Sequence, residues 1–147
     1  MSRYVHDEKI DMEFLLRDFQ EFWRANAQIW DGKYDYDEGT LHFTLLAFLQ
    51  RIISDDVKLN HDMELGTGKL DFCIFYGKRR YPIVLKILQN EHSYTKGLEM
   101  IAKYIDMFAC REGWLIVFDR REDISLDDKI FVRHNFFENK KITIFGC

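Results

Sequence analysis

Apolar residues recur every three or four positions near the start of the chain and shift to a shorter period further along. Between residues 8 and 30 their spacing is that of an amphipathic helix, with apolar side chains at Met12, Leu15, Leu16, Phe19, Phe22, Trp23, Ala27 and Trp30. Acids and glycines in "DGKYDYDEG" (residues 31–39) interrupt the pattern and predict a loop. The stretch "LHFTLLAFLQRII" then predicts a second helix from Glu38 to Ile53. It is apolar on most faces and is therefore expected to lie centrally.

Strand-like runs dominate the rest of the chain, interrupted by one further helix. The helical spacing returns over residues 93–112, with Leu98, Ile101, Ala102, Ile105 and Phe108 on one side. The continuous apolar run at 113–119 is typical of a strand buried on both faces. Further strands are predicted, with Gly77 at one turn and Glu138 to Lys140 at another, over residues 57–65, 69–76, 80–88, 128–137 and 140–147. This order of elements predicts an α/β fold around a mixed sheet.

Composition and charge narrow the class of protein. The 147 residues are 47% hydrophobic with a single proline, which predicts one ordered globular domain. The 21 Lys and Arg residues against 25 Asp and Glu residues give a net charge of -4. That balance argues against a strong, sequence-independent grip on nucleic acid.

Cysteine usage and the absence of long apolar runs favour a reducing, cytoplasmic compartment. The three cysteines are each 37 residues apart and odd in number, so neither a disulfide scaffold nor a zinc ribbon is expected. No signal peptide is visible, and no apolar run approaches the roughly 20 residues that cross a bilayer. We therefore expect a cytoplasmic protein without a membrane partner.

Two charged residues stand out in the predicted hairpin "GKLDFCIFYGKRRYPIVLKI". Asp71 and Lys86 lie in otherwise apolar strands, where a charge is costly unless it is compensated. A two-residue turn sets Asp71 opposite Val84, whereas a four-residue loop sets it opposite Lys86. Both registers leave these three residues on one face and predict that Asp71 and Lys86 can meet. A structural ion pair and a catalytic site are both compatible with this pattern.

An aspartate followed, after about a dozen residues, by acid-x-Lys at the end of an apolar strand is the pattern of the PD-(D/E)XK nuclease superfamily, and the segment from Asp71 to Lys86 resembles it. The chain resembles more closely the nuclease-like domain at the C-terminus of prokaryotic AAA-type ATPases, in "YDYDEGTLHFTLLAFLQRII", "HDMELGTGKLDFCI", "YTKGLEMIAKYIDMF", "EGWLIVFDRR" and "KITIFGC". The resemblance implies a restriction-endonuclease-like fold over 1–147, with a mixed β-sheet flanked by helices and a C-terminal β-hairpin. It also implies an N-terminal helical extension (1–33) and a core (34–147).

The resemblance also implies a set of site residues. Glu38, Asp62 and Asp71 match acids that would hold Mg²⁺ or Mn²⁺, and Asp71 and Lys86 match the catalytic aspartate and lysine. In such a site the metal polarises the scissile phosphate and lowers the pKa of the attacking water. The lysine stabilises negative charge in the transition state.

Two departures from the family pattern affect this site. Val84 stands where the family carries glutamate, and Met100 where its helix carries glutamine. Valine offers no oxygen to a hard cation. The sequence therefore predicts a degenerate nuclease-like domain that serves as an accessory or interaction module for an AAA-type ATPase domain or another protein. The alternative is an active Mg-dependent DNA endonuclease that uses Glu38, Asp62, Asp71 and Lys86.

Other motifs are weaker. The segment "GTGKL" (residues 66–70) lacks the glycine and the hydroxyl residue of a phosphate-binding loop and is expected to form a turn before Asp71. The histidines show no HxxxH pairing, and His61 beside Asp62 is expected to have a surface role.

Overall fold

A six-stranded mixed sheet with helices on both faces forms the centre of the fold. The structure is a computed structural model that describes residues 1–26, 38–65, 68–89, 91–121 and 123–147, without the side chains of Glu38, Leu65 and Glu91. Most of the loop predicted over 31–39 lies outside these residues, as does the last part of the first predicted helix, 27–30. The predicted α/β class is confirmed.

The described α-helices are α1 (Met12–Ala25), α2 (Glu38–Ile52), α3 (Glu91–Met107) and α4 (Leu126–Lys129). The described strands are β1 (Val5–His6), β2 (Lys9–Ile10), β3 (Val57–Leu65), β4 (Gly68–Tyr76), β5 (Arg79–Leu88), β6 (Glu112–Asp119), β7 (Phe131–Phe137) and β8 (Lys140–Gly146). The strands of the central sheet follow the order β3-β4-β5-β6-β8-β7. β6 pairs in parallel with both β5 and β8, and the other neighbours are antiparallel.

The sheet separates two apolar layers. On one side α1 and α2 pack against it through buried side chains such as Leu15, Phe19 and Leu45. On the other side α3 packs through Leu98, Ile101 and Ile105. Alternate residues of β6 enter the two layers because strand side chains point to opposite faces, which confirms the prediction of a strand buried on both sides.

The first helix starts later than its periodicity predicts. Residues 5–10 form a short hairpin whose turn residues, Asp7 and Glu8, have φ values of 51° and 61°. The Asp11 side chain then accepts a hydrogen bond from the Phe14 amide (3.0 Å) and caps α1 at its N-terminus. α1 packs in the same apolar layer as α2, against the sheet. The buried side-chain amide of Gln20 donates hydrogen bonds to the carbonyl oxygens of Phe131 (2.8 Å) and Gly146 (2.9 Å).

Two further boundaries differ from the sequence-based prediction. α3 ends at Met107 because Ala109 adopts a left-handed φ of 54°, which an α-helix cannot continue. The segment before β7 is partly helical, since Ser125 caps the short helix α4. The hairpin of β7 and β8 is confirmed. Within the described residues, no helix has both the length and the apolar character required to span a membrane.

Candidate functional site

The hairpin of β4 and β5 decides between the two registers left open by the sequence. Tyr76 pairs with Arg79 across a two-residue turn in which Gly77 has a φ of 58°, the left-handed conformation that glycine adopts without strain. The ladder continues to Phe72 and Ile83. One further step in this register sets Asp71 opposite Val84.

Val84 is fully buried. Its side chain lies in the apolar layer beneath α3, in the same cluster as Leu115 and Ile144. A side chain in this position contacts hydrocarbon instead of water and offers no ligand atom.

Asp71 lies where β4 separates from β5. The regular pairing of the two strands ends at Phe72 and Ile83, and beyond it the Asp71 carboxylate bonds to the backbone of β5. Its Oδ2 accepts a hydrogen bond from the Leu85 amide at 2.9 Å, and its Oδ1 lies 3.9 Å from Nδ1 of His42 in α2. The carboxylate thus joins β4 to β5. It lies near His42 of α2, and its charge also reaches Tyr104 of α3, whose pKa is raised by burial and then by Asp71.

Lys86 lies under α3. A Cβ atom built on Gly97 would lie 3.1 Å from Cγ of Lys86, so the absence of a side chain at Gly97 lets the lysine stem pass beneath the helix. Among the ion pairs of the described residues, none joins Lys86 to Asp71. Asp71 lies one residue beyond the last pair of the regular ladder, and its predicted approach to Lys86 stays a prediction.

The other two predicted metal ligands have different surroundings. Glu38 begins α2, and its side chain lies outside the described part of the structure. Asp62 lies in β3, at the edge of the sheet, with a left-handed φ of 54°. Its Oδ1 lies 3.2 Å from Nζ of Lys69, and its Oδ2 lies 3.2 Å from Nδ1 of His61 and 3.4 Å from Nε2 of His42.

Electrostatics keep Asp62 ionised and His42 neutral. Burial opposes ionisation of Asp62, but hydrogen bonds from Lys69 and His61 and the neighbouring positive charges outweigh it and lower the pKa of this carboxyl. Burial lowers the pKa of His42, and the attraction of Asp62 offsets only part of that effect. The pair therefore combines a carboxylate with a neutral imidazole.

His42 is the residue that sequence reasoning missed. It is 8% exposed, and its ring stacks on Phe72 at a centroid distance of 4.4 Å. Its only signal in the sequence is a polar side chain within the apolar run of α2. It lies 19 positions before His61 (61 minus 42), too far apart for a motif, and only the packing of α2 against β3 unites them.

Comparison of the chain with models of known protein families, with curated proteins and with solved structures found no match. The relationship to PD-(D/E)XK nucleases therefore stays a prediction from the quoted segments.

Proposed function

We propose that this chain is a PD-(D/E)XK nuclease-like domain that has lost its nuclease chemistry and acts as an accessory or interaction module. The observation that carries the proposal is Val84. It occupies the position of the motif glutamate and is fully buried against α3.

The chemistry of phosphodiester cleavage explains why this one residue matters. Mg²⁺ requires near-octahedral oxygen coordination and binds through one or two carboxylates together with substrate phosphate. Position 84 supplies no oxygen, and Asp71 already accepts a hydrogen bond from the backbone of β5. Without a firmly held ion, no group activates water for attack on the phosphate.

A protein is the favoured partner. The net charge of -4 disfavours a nonspecific grip on DNA, which depends on clustered cations. The resemblance is to domains attached to AAA-type ATPases, so we propose an ATPase domain of that type, or another protein, as the partner. DNA binding belongs to the alternative, an active Mg-dependent endonuclease that uses Glu38, Asp62, Asp71 and Lys86.

A cleavage assay separates the two functions. Supercoiled plasmid, single-stranded DNA and RNA are incubated with the parent protein in Mg²⁺ or Mn²⁺, with Lys86→Ala and Asp71→Asn as matched controls. We expect the parent to cut no faster than either variant. Metal-dependent cleavage by the parent that both substitutions abolish would overturn the proposal and establish the endonuclease.

A further inference from the structure

Three side chains converge where α2 meets the edge strand β3. The ligand atoms of His42, His61 and Asp62 all lie within 4.8 Å of one another. We propose that these residues bind one divalent transition-metal ion of the Zn²⁺ class. This inference does not rest on the proposed loss of nuclease chemistry, because it involves a different class of ion and neither Val84 nor Lys86; it shares only Asp62 with the alternative magnesium site.

The distances suit such an ion. Zn²⁺ binds imidazole nitrogen at about 2.0–2.1 Å, so neighbouring ligand atoms of a tetrahedral site lie about 3.3 Å apart. Asp62 Oδ2 lies 3.4 Å from Nε2 of His42 and 3.2 Å from Nδ1 of His61. Two of the three edges therefore already have the required length.

A buried nitrogen points into this site. Nε2 of His42 is inaccessible to solvent and makes no hydrogen bond with any group in the described ranges. A buried polar atom without a partner is costly and is rare in native proteins. A metal ion beside Asp62 Oδ2 would satisfy it.

The surroundings of His42 fix its ring in the orientation that ligation needs. Phe72 stacks on one face of the imidazole, with an interplanar angle of 20°. Asp71 Oδ1 lies on the Nδ1 side, at 3.9 Å. At that separation the carboxylate makes no direct hydrogen bond to the ring, but it adds negative charge beside a site for a cation.

The carboxylate of Asp62 is the third ligand, and the backbone of this residue is strained. Consecutive strand residues normally point to opposite faces, which would separate His61 from Asp62. The left-handed φ of Asp62 interrupts that alternation, and both side chains approach His42. Such strain in a non-glycine residue is typical of functional positions. Lys69 bonds the other carboxylate oxygen, Oδ1, and so leaves Oδ2 directed at the histidines.

The ligand set defines the class of ion. Imidazole suits Zn²⁺, Co²⁺ and Ni²⁺, whereas Mg²⁺ and Ca²⁺ take oxygen ligands. The side chains of His61 and Asp62 are 40% and 44% exposed, so a bound ion would keep a solvent-facing coordination position. Bound there, it would join α2 to the edge strand β3.

Metal titration of the full chain tests the inference. Co²⁺ is followed by visible absorption, where a tetrahedral site gives intense bands, and Zn²⁺ by calorimetry, with Mg²⁺ as the control ion. The ligand variants are His61→Ala and Asp62→Gly. Glycine tolerates the left-handed backbone, so the second variant removes the carboxylate without imposing strain. His92→Ala removes another exposed histidine and serves as the matched control.

We expect one Zn²⁺ or Co²⁺ per chain, at least tenfold weaker binding in both ligand variants, and unchanged binding in His92→Ala. The melting temperature of the parent should rise with Zn²⁺ concentration and not with Mg²⁺. Binding that survives in both folded ligand variants, or that His92→Ala weakens equally, would overturn the site. So would the absence of Zn²⁺ and Co²⁺ binding by the parent. Since the cleavage assay is run with Mg²⁺ or Mn²⁺ and its own variants, either proposal can fail without the other.

Discussion

Replacing Val84 by glutamate tests the lost site most directly, and Val84→Gln is its matched control. The two side chains have nearly the same size and differ in charge. Val84 is fully buried beneath α3, so both variants lose its apolar contacts and crowd the same layer. The difference in their free energies of unfolding therefore isolates the cost of a buried carboxylate.

The size of that difference follows from the position of residue 84. Full burial raises the pKa of a carboxyl by up to 3–5 units, and each unit corresponds to about 1.4 kcal/mol. Lys86 lies two residues further on the same side of β5, and its charge offsets part of this penalty. We expect Val84→Glu to be about 2–4 kcal/mol less stable than Val84→Gln at pH 8.

Denaturant melts at several pH values would measure the difference. A carboxyl whose folded pKa is raised is protonated in both states below about pH 4.3, its unfolded value, so the two variants should be similar there. The gap should open as the pH rises towards the folded pKa and then stay constant. Mg²⁺ at ten times its Kd should restore about 1.4 kcal/mol to Val84→Glu and nothing to Val84→Gln.

Equal stability of the two variants from pH 4 to pH 8 would refute the reasoning. It would mean that Lys86 and its neighbours already compensate a carboxylate at position 84. The residues around position 84 would then still suit a carboxylate, as in an intact site. The apolar layer beneath α3 would not be the result of losing the motif glutamate.

Three further predictions concern stability. Gln20→Leu should destabilise the fold by about 2–4 kcal/mol, since two carbonyl oxygens lose their buried donor; urea melts would measure it, and a loss below 1 kcal/mol would contradict it. Gly146→Ala should lower the melting temperature markedly, because the new Cβ would overlap the Lys129 carbonyl oxygen; an unchanged melt would show that the strand shifts freely. Burial opposes ionisation of Asp119, but the hydrogen bonds from Arg121 outweigh it and hold the pKa of this carboxyl below its usual value. The stability it confers is present above the unfolded pKa and is lost as the pH falls through the folded pKa, so acid titration should destabilise the parent more than Asp119→Asn.

Much of the fold follows from local patterns in the sequence. The bounds of α2, β3 and β4 agree with the predicted bounds to within one residue, because apolar periodicity and turn residues are read over a few positions. Gly77 permits the two-residue turn, and the continuous apolar run of β6 identifies a strand covered on both sides.

The order of the strands depended on contacts far apart in the chain. β8 enters the sheet between β6 and β7, so the last strand of the chain becomes an internal one. Strand periodicity gives the faces of a strand but not its neighbours. The burial of α1 against the sheet, through Gln20 and its acceptors more than 100 residues away, is likewise invisible in any local window.

The candidate site divides in the same way. The sequence alone locates Val84 in an apolar strand and so removes one oxygen ligand from the predicted magnesium site. Tertiary structure decided that Asp71 bonds to Leu85 and faces His42, and that Lys86 lies under α3. It also assembled His42, His61 and Asp62, since a helix and a strand come together by burying apolar surface elsewhere, and a single left-handed residue redirects the carboxylate.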